Sequence, residues 1–318
     1  MRYTRFGKTD LNVSVITAGT WAMGGERYGE MDDEQSIAAI RAMLDQGVNI
    51  IDTAPCYGNG HSEKLVAKAI KGYDRDKLVI VTKCGLIFDE EIPGTGCRRN
   101  ITAPSIAKEI DDSRRRLDMD VIDVYLVHKP DFLGTPVEET FSMMQKLKDI
   151  GKIRHIGVSN YPVELMKEAE KYAEIEVIQP PYSMVDRKEK AVLEHAKSLD
   201  MGVMSYGSLG AGFLSGRYRT RPDWPEDDFR FTFYDYFNEP KFSKGQKMLA
   251  VMDEIAAEHG VPVGQVAINW NIQCGLVDTA ILGASKVRHA EENCASTLWC
   301  LSEEEMARLE KALEEFEA

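Results

Sequence analysis

Eight short apolar runs alternate with amphipathic stretches along this chain, and the alternation limits the fold more than any other feature of the sequence. The runs cover residues 13–18, 48–54, 77–83, 121–128, 153–159, 176–179, 202–206 and 277–282. Because they are apolar at nearly every position, we expect strands buried on both faces, as in a parallel sheet covered by helices. Eight strand–helix units predict a closed (β/α)8 TIM barrel.

The stretches between the runs carry apolar residues at helical spacing. Ile106, Ile110 and Leu117, for example, share one face of a predicted helix. An open, doubly wound sheet lacks its usual marker, since no G-x-G-x-x-G motif follows any run. We therefore expect residues 1–318 to form one barrel domain. Residues 2–15 predict two short strands, which we interpret as an N-terminal β-hairpin that closes the bottom of the barrel.

The charge and the cysteines narrow the classes of partner. A formal net charge of −13 at pH 7 disfavours nucleic acid and anionic membranes as main partners. The N-terminal MRYTRFGKTD lacks the apolar core of a signal peptide, so we expect a cytoplasmic protein. The sequence contains no C-x-x-C pair, so it suggests neither a zinc site nor a redox dithiol, and we expect no metal. We expect free thiols that act as small buried hydrophobes, with oxidative sensitivity as the alternative for Cys56 and Cys84.

Polar residues end three successive runs. Asp52 ends the second run, Lys83 the third and His128 the fourth, while Tyr57 follows Asp52 by five positions. In a barrel of this kind the active site lies at the C-terminal ends of the strands. A buried aspartate and a buried lysine must pair, because an isolated buried charge is very costly. Such a pair beside a phenol and an imidazole predicts a site for proton transfer.

The expected chemistry follows from the acidity of the phenol. The ordinary pKa of a tyrosine is about 10, and a nearby lysine ammonium should lower it. Asp52 would keep Lys83 charged and aimed, and His128 would hydrogen-bond the substrate oxygen. Tyr57 would then protonate the alkoxide that forms when a carbonyl accepts a hydride, or take a proton from an alcohol in the reverse direction.

Seven segments, in order along the chain, resemble motifs of one family. They are DTAPCYGNGHSE, VTKCG, YLVHKPD, GKIRHIGVSN, IQPPYS, YGSLGAGFLSGRY and ILGASKVRHAEEN. The chain resembles the aldo-keto reductases over essentially its whole length, and is most similar to bacterial-type members that act on small aldehydes or sugar-like carbonyls. The resemblance implies a carbonyl-reducing oxidoreductase, with Asp52, Tyr57, Lys83 and His128 as the catalytic tetrad.

The resemblance also implies a cofactor site along one rim of the barrel. Near the nicotinamide it implies Gly19, Thr20, Trp21, Asp52, Ser159, Asn160, Gln179 and a stacked Tyr206. Near the phosphates it implies Gly207, Ser208, Leu209, Gly212, Leu214, Gly216, Arg217 and Arg230. At the adenosine end it implies Gly283, Ser285, Lys286, His289, Glu292 and Asn293. From the residues alone, the helix that begins within ILGASKVRHAEEN either offers an anion site at its N-terminus or is an ordinary capped helix.

One departure from the family pattern bears on the choice of cofactor. His289 stands where NADPH-dependent relatives often carry an arginine that meets the 2′-phosphate, and a histidine is mostly neutral at pH 7. Lys286 or Arg288 would then take over this contact. We expect NADPH, with NADH as the alternative.

The substrate is expected to be a small carbonyl compound or alcohol. The resemblance implies a pocket lined by Trp21, Tyr57, Phe88, His128 and Lys129, with Tyr28 on an adjoining loop. Lys129 stands where many relatives carry an aromatic residue; it either faces the pocket and favours polar or anionic substrates, or faces solvent. The aromatic residues of segment 217–243 either line the pocket or pack on one another. Monomer and homo-oligomer both remain open.

Two other classes of protein compete with the reductase. Some proteins of this fold serve as cofactor-sensing subunits of membrane channels, which bind a nicotinamide cofactor with little turnover. A metal-dependent barrel hydrolase or isomerase would need several ligands at the strand ends. Only Asp52 and His128 qualify as ligands, and Lys83 between them would repel a cation.

Overall fold

The computed structural model describes residues 1–25, 32–89, 92, 96–131, 134–283 and 285–318. Tyr28 and part of the loop that precedes Cys97 therefore lie outside the described residues. None of the helices in these ranges combines the length and the apolar character that crossing a bilayer requires.

The strands form one closed barrel and two hairpins. The first hairpin pairs β1 (Tyr3–Arg5) with β2 (Asn12–Ser14), and the second pairs β6 (Leu86–Phe88) with β7 (Cys97–Arg99). The eight parallel barrel strands are β3 (Ile16–Gly19), β4 (Ile50–Asp52), β5 (Val79–Cys84), β8 (Ile122–Val127), β9 (Ile153–Ser159), β10 (Val177–Gln179), β11 (Gly202–Ser205) and β12 (Thr279–Gly283). Each of the eight apolar runs supplies one barrel strand, so the predicted (β/α)8 barrel is confirmed.

The first apolar run divides between two sheets. Its start belongs to β2 of the hairpin and its end to β3 of the barrel, and the chain bends between them at Val15. The Val15 N–H donates to Arg2 O (3.1 Å), whereas the Val15 carbonyl accepts from Ala280 N (3.0 Å). An uninterrupted apolar pattern does not reveal this bend, because residues on both sides of it are buried.

The helices cover the outside of the barrel, and their buried faces follow the predicted spacing. They are α1 (Asp33–Asp45), α2 (His61–Ile70), α3 (Ala103–Leu117), α4 (Val137–Asp149), α5 (Val163–Ala169), α6 (Lys190–Ser198), α7 (Phe229–Phe233), α8 (Lys241–His259), α9 (Val263–Gln273), α10 (Val287–Ala295) and α11 (Glu303–Glu317). Ile106, Ile110 and Leu117 of α3 are buried. A capping box between Ser302 and Glu305 sets the start of α11.

The N-terminal hairpin fills the lower end of the barrel. Phe6, Leu11 and Val13 are buried in a cluster with barrel residues such as Ile50 and Met204. Gly7 allows the hairpin turn to approach the start of β11, since a Cβ at this position would lie 2.1 Å from the backbone nitrogen of Gly202. The predicted closure of the barrel bottom is confirmed.

The aromatic segment 217–243 packs on itself and on Phe213. The Phe213 ring makes edge contacts with Tyr236, Phe237 and Phe242, at centroid distances of 5.7 Å. Phe231 is buried, whereas 65% of Phe233 is exposed. Of the two alternatives for these aromatic residues, the structure supports packing on one another.

A charged network ties the hairpin to the barrel bottom. His155 on β9 faces Asp10 Oδ1 with Nε2 (2.8 Å) and Glu176 Oε1 with Nδ1 (2.7 Å). Glu176 also accepts from Lys148 Nζ (2.6 Å) and from Ile156 N (3.1 Å). Burial alone would raise the pKa of Glu176, but the hydrogen bonds from His155 and Lys148 outweigh it and lower that pKa.

We predict that Glu176→Gln destabilises the protein, by roughly 3 kcal/mol at pH 7, because a buried charged network loses one partner. A lowered carboxyl pKa contributes stability above the unfolded value of about 4.3, and this stability is lost as the pH falls through the folded value. The variant should therefore lose less stability than the wild type between pH 6 and pH 3. Urea denaturation across this range measures both effects.

The control is Glu164→Gln, which removes one member of an exposed pair with Lys167. Exposed pairs contribute little, so its stability should stay within about 0.5 kcal/mol of the wild type at each pH. Equal, small losses in the two variants would contradict a role for Glu176 in holding the hairpin.

Candidate active site

Strand ends bring three charged or titratable side chains to the upper rim. Asp52 is the last residue of β4, Lys83 lies one residue before the end of β5, and His128 directly follows β8. Backbone bonds extend the sheet through His128, whose N–H donates to Cys84 O (2.9 Å). The parallel register thus places all three at the same end of adjacent strands.

Tyr57 is held above Asp52 by a tight loop. Its N–H donates to Ala54 O (3.1 Å), and its carbonyl accepts from Ser62 N (3.2 Å). Gly58 has φ +63°, and a Cβ there would lie 2.6 Å from the carbonyl oxygen of Gly24. The two glycines allow the Tyr57 loop to press against the loop after β3.

Lys83 joins Asp52 and Tyr57. Its Nζ donates to Asp52 Oδ1 (2.8 Å) and Oδ2 (3.0 Å), to Thr53 O (2.8 Å) and to Tyr57 Oη (3.1 Å). Lys83 is fully buried and Asp52 is 4% exposed. The three N–H groups of the ammonium therefore have acceptors on three residues. Thr53 contributes a backbone carbonyl, which no side-chain motif could have revealed.

The electrostatics of Tyr57 differ from the prediction. Burial, and next the Asp52 carboxylate, raise the pKa of Tyr57 well above its ordinary value. The expectation of a lowered pKa is wrong here, because burial disfavours a phenolate and the Asp52 carboxylate repels its negative charge. Tyr57 is thus a protonated phenol at neutral pH, with an ammonium donor on its oxygen to stabilise negative charge as the proton leaves.

His128 stands edge-on to Tyr57. Their ring centroids are 5.9 Å apart with an interplanar angle of 82°. Burial, then the charges of Lys83 and Lys129, lower the pKa of His128 well below its ordinary value, so the imidazole is neutral at pH 7. Lys129 is half-buried, and its charge is the third cause of the lowered pKa of His128.

Four of the residues implied at the nicotinamide end form one hydrogen-bond network. Ser159 Oγ donates to Gln179 O (2.7 Å), Asn160 Nδ2 donates to Ser159 Oγ (2.9 Å), and Tyr206 Oη donates to Asn160 Oδ1 (2.7 Å). Gln179 Nε2 donates to Asp52 Oδ1 (2.7 Å). The network is therefore linked directly to the Lys83 pair, a connection that the sequence did not reveal.

The first barrel strand adds the other side of this end. Gly19 pairs with Asp52 in the sheet, and Thr20 donates to Asp52 O from its N–H (3.1 Å) and from its Oγ1 (2.9 Å). Ser62 Oγ donates to Thr20 Oγ1 (2.6 Å) and was not among the expected residues. Trp21 follows with 40% of its surface exposed, beside the open end of the barrel.

The segment after β11 runs along the rim with several residues at positive φ. Gly207, Gly212 and Gly216 have φ values of +71°, +88° and +72°, conformations that favour glycine. Ser208 Oγ lies 3.3 Å from Ile281 O of β12, which ties the segment to the next strand. Leu214 is buried, whereas Leu209 is half-buried and Arg217 is exposed.

Arg230 is bound within its own segment. Its guanidinium donates to Asp228 from Nε (2.9 Å) and Nη2 (2.8 Å) and lies 3.5 Å from the centroid of the Trp224 ring. A neighbouring carboxylate therefore holds the Arg230 guanidinium within segment 217–243, against the Trp224 ring.

The start of α10 forms the far end of the implied cofactor site. Gly283 pairs with Gly19, and Asn293 Nδ2 lies 3.4 Å from Gly283 O. Ser285 is half-buried, and Lys286, at the N-cap, is exposed, as is His289. The side chain of the N-cap residue Lys286 makes no capping hydrogen bond to this helix. Arg288 is paired with Glu292 (2.8 Å).

A buried carboxyl supports the hairpin above the site. Glu109 on α3 accepts from Gly85 N (2.9 Å) and from Ser105 Oγ (2.9 Å), at the base of the β6–β7 hairpin that carries Phe88. Burial raises the pKa of Glu109 to about 7, against the opposing hydrogen bonds from Gly85 and Ser105. This residue was not predicted, since a glutamate in an amphipathic helix normally faces solvent.

The fold and the site define a barrel oxidoreductase, and comparisons with known proteins assign the family. The sequence model of the aldo/keto reductase family matches residues 15–314, and the chain belongs to this family. It is an NAD(P)H-dependent enzyme of the kind that acts on small carbonyl compounds. Within the described residues, no group of three or more His, Cys, Asp or Glu could hold a metal ion.

Its relatives include bacterial enzymes that it matches over nearly their full length. The aldo-keto reductase YhdN of Bacillus subtilis is 38% identical, over 99% of this chain and 94% of the relative. The NADH-specific methylglyoxal reductase of Escherichia coli is 30% identical over 100% of both chains. Among solved structures, the glycerol dehydrogenase AKR11B4 of Gluconobacter oxydans has a TM-score of 0.89 and 34% identity, covering 98% of this chain and 94% of that one.

We predict that Glu109→Gln makes the protein more stable than the wild type above pH 7. A raised carboxyl pKa means that the folded state holds the proton more tightly, so wild-type stability falls as the pH rises from about 4.5 to about 7. Glutamine removes this titration, and the difference between the two proteins should grow by up to about 3 kcal/mol between pH 4.5 and pH 8. Denaturant unfolding at both pH values tests this, and a difference that does not change with pH would contradict it.

Proposed function

We propose that this protein reduces small aldehydes and ketones, including sugar-like carbonyls, to alcohols with NADPH, and that Tyr57 is the general acid. The observation that carries the proposal is the position of Lys83 Nζ, 3.1 Å from Tyr57 Oη and 2.8 Å from Asp52 Oδ1. The hairpin, the barrel and α11 pack around shared cores, which supports treating residues 1–318 as one catalytic domain.

Each residue of the tetrad would have a separate role in the proton transfer. When bound, NADPH supplies the hydride. Tyr57 gives its proton to the oxygen of the reduced carbonyl, and the Lys83 ammonium stabilises the phenolate that remains. Asp52 keeps Lys83 charged and oriented, and neutral His128 donates a hydrogen bond to the substrate oxygen.

The residues at the rim fit a nicotinamide dinucleotide. Ser159, Asn160 and Gln179 would hold the carboxamide, and the hydrogen bond from Gln179 Nε2 to Asp52 fixes the orientation of the Gln179 amide. Tyr206 would stack on the ring. The start of α10 would bind a phosphate through backbone N–H groups, with Gly283, Ser285 and Asn293 around the adenosine.

The remaining residues of the site have narrower proposed roles. Those that would border the nicotinamide are Gly19, Thr20 and Trp21. Those that would follow the pyrophosphate, largely through backbone groups, are Gly207, Ser208, Leu209, Gly212, Leu214, Gly216 and Arg217. Arg230 would join them while paired with Asp228, and Glu292 would contact the adenosine while paired with Arg288.

The charges near α10 support NADPH over NADH. Lys286 is exposed at the N-cap, whereas the Arg288 guanidinium is paired with Glu292. Lys286 is therefore the cation best placed for a 2′-phosphate, with His289 beside it. One relative is specific for NADH, so both cofactors belong in every assay.

The pocket would accept small carbonyl compounds. Trp21 and Phe88 offer apolar surface, and Tyr57 and His128 would meet the reacting oxygen. The charge of Lys129, which acts on His128, would favour substrates with hydroxyl or anionic groups.

We predict that Tyr57→Phe lowers kcat for 4-nitrobenzaldehyde about 10²- to 10⁴-fold, since it deletes the proton donor. The dissociation constant for NADPH should stay within about twofold of the wild type. Steady-state oxidation of NADPH and fluorescence titration measure the two quantities. The matched control is Tyr73→Phe, a remote tyrosine whose hydroxyl donates to Asp45 (2.6 Å), and it should retain full activity.

Two results would count against this proposal. Substantial turnover by Tyr57→Phe would show that another group is the acid. Tight NADPH binding by the wild type without turnover of aldehydes, ketoses or ketosteroids would favour the alternative, a cofactor-sensing subunit. One relative is named as a probable voltage-gated potassium channel subunit beta.

We predict that Lys286→Met weakens NADPH binding at least about tenfold while leaving NADH binding nearly unchanged, because one charge-assisted hydrogen bond to the 2′-phosphate is lost. Titration of both cofactors at fixed ionic strength measures the ratio. Lys247→Met, on an exposed position of α8, controls for the loss of one positive charge. Equal losses for the two cofactors would refute the proposed contact.

A further inference from the structure

Cys56 contacts the imidazole of His128 within the proposed active site. The Cys56 Sγ atom lies 3.5 Å from His128 Nδ1, a hydrogen-bond distance for sulfur. Cys56 immediately precedes Tyr57, so the tight loop that positions the phenol also positions the thiol. Cys56 is 6% exposed, and its sulfur is not part of a disulfide within the described residues.

The surroundings of His128 fix the direction of its ring. Its N–H donates to Cys84 O (2.9 Å), and its carbonyl accepts from Asn160 Nδ2 (3.0 Å), so the backbone is held on both sides. Tyr57 stands against one side of the ring. Within the described part of the chain, Nδ1 is the ring nitrogen with a side-chain hydrogen-bond partner, and Nε2 has none.

A neutral imidazole carries one N–H, and the partner of one nitrogen decides which nitrogen holds it. A carbonyl oxygen only accepts, so His128 can assist the proposed reduction only as the Nε2–H tautomer. Its Nδ1 then needs a donor. The Cys56 thiol can donate weakly, whereas a serine, threonine or water hydroxyl would be the usual choice.

We propose that the Cys56 thiol donates to His128 Nδ1 and holds the imidazole in the tautomer that presents Nε2–H to the carbonyl oxygen of the substrate. Cys56 is thus a positioning residue for the reaction. The inference rests on the proposed function for its consequence in catalysis, but the tautomer itself is a property of the protein without turnover.

The electrostatics of the pocket support the neutral form on which this depends. The charged groups that act on His128 are Lys83, from β5, and Lys129, from its own segment, and both oppose a second proton on the ring. Asp52 is bound to Lys83 and Gln179, so its carboxylate is engaged away from the imidazole. An imidazolium would donate from both nitrogens and would need no help from a thiol.

The direct test is the protonation pattern of His128 in the intact protein. Two-bond ¹H–¹⁵N spectra of protein labelled with ¹⁵N-histidine distinguish the two tautomers, and the signals that vanish in His128→Gln assign the residue. We expect Nε2–H in the wild type at pH 7. A wild-type ring with the proton on Nδ1 would overturn the proposal, whatever the activity assays show.

Variants at position 56 test the consequence. Cys56→Val replaces the thiol by methyl groups of similar bulk and cannot donate, so the tautomers should mix and kcat should fall about fivefold, the factor expected for one ordinary hydrogen bond. Cys56→Ser keeps a donor and should recover the Nε2–H tautomer and part of kcat. NADPH affinity should not change in either variant.

The control for loss of a thiol is Cys300→Ala, beside the N-terminal hairpin at the lower end of the barrel, where the Sγ accepts from Arg2 Nη1 (3.0 Å). It should leave both the tautomer and kcat unchanged. An unchanged tautomer in Cys56→Val, or a changed tautomer with unchanged kcat, would each overturn the positioning role. If Cys56→Val fails to fold, the wild-type spectrum and the Cys56→Ser variant still decide the question.

Discussion

A fully buried ammonium group must have a buried counter-charge, and the upper end of this barrel is organised around that requirement. Lys83 lies in the closed wall between β4 and β8, where an unpaired charge would be very costly. Asp52 on the adjacent strand neutralises it, and Thr53 and Tyr57 accept its other hydrogen bonds. The same contacts that make the lysine tolerable therefore bring a phenol to the point where a substrate would enter.

The Lys83–Asp52 pair also joins parts of the chain that are distant in sequence. Asp52 receives hydrogen bonds from Gln179 on β10 through its side chain and from Thr20, after β3, through its carbonyl. A shift of Asp52 would therefore alter both the position of Gln179, a proposed carboxamide contact, and that of Lys83, which donates to Tyr57. This coupling explains physically why the residues implied at the nicotinamide end and the tetrad occur as one connected network.

The two ends of the barrel have different tasks. At the lower end, the hairpin inserts Phe6, Leu11 and Val13, and the network of Asp10, His155 and Glu176 holds it in place. Because the lower end supplies this apolar packing, the upper end can hold the polar side chains of the proposed active site. Glu109 combines a structural and a functional role. It is buried, and it accepts a hydrogen bond at the base of the hairpin that carries Phe88 of the proposed pocket.

The sequence by itself determined the barrel, the hairpin and the positions of Asp52, Lys83 and His128 at strand ends. Burial on both faces and strand–helix alternation produce apolar patterns that can be recognised within short stretches of sequence. The tertiary structure alone decided how the charges act on one another. It placed the split of the first apolar run at Val15, the capture of Arg230 by Asp228, and the raised rather than lowered pKa of Tyr57. The bend at Val15 and the pKa of Tyr57 depend on contacts between segments distant in the chain and on burial, neither of which any single stretch of sequence encodes. Arg230 and Asp228 are only two positions apart, but the folded conformation of their segment decides that the guanidinium takes this carboxylate as its partner and stacks on Trp224.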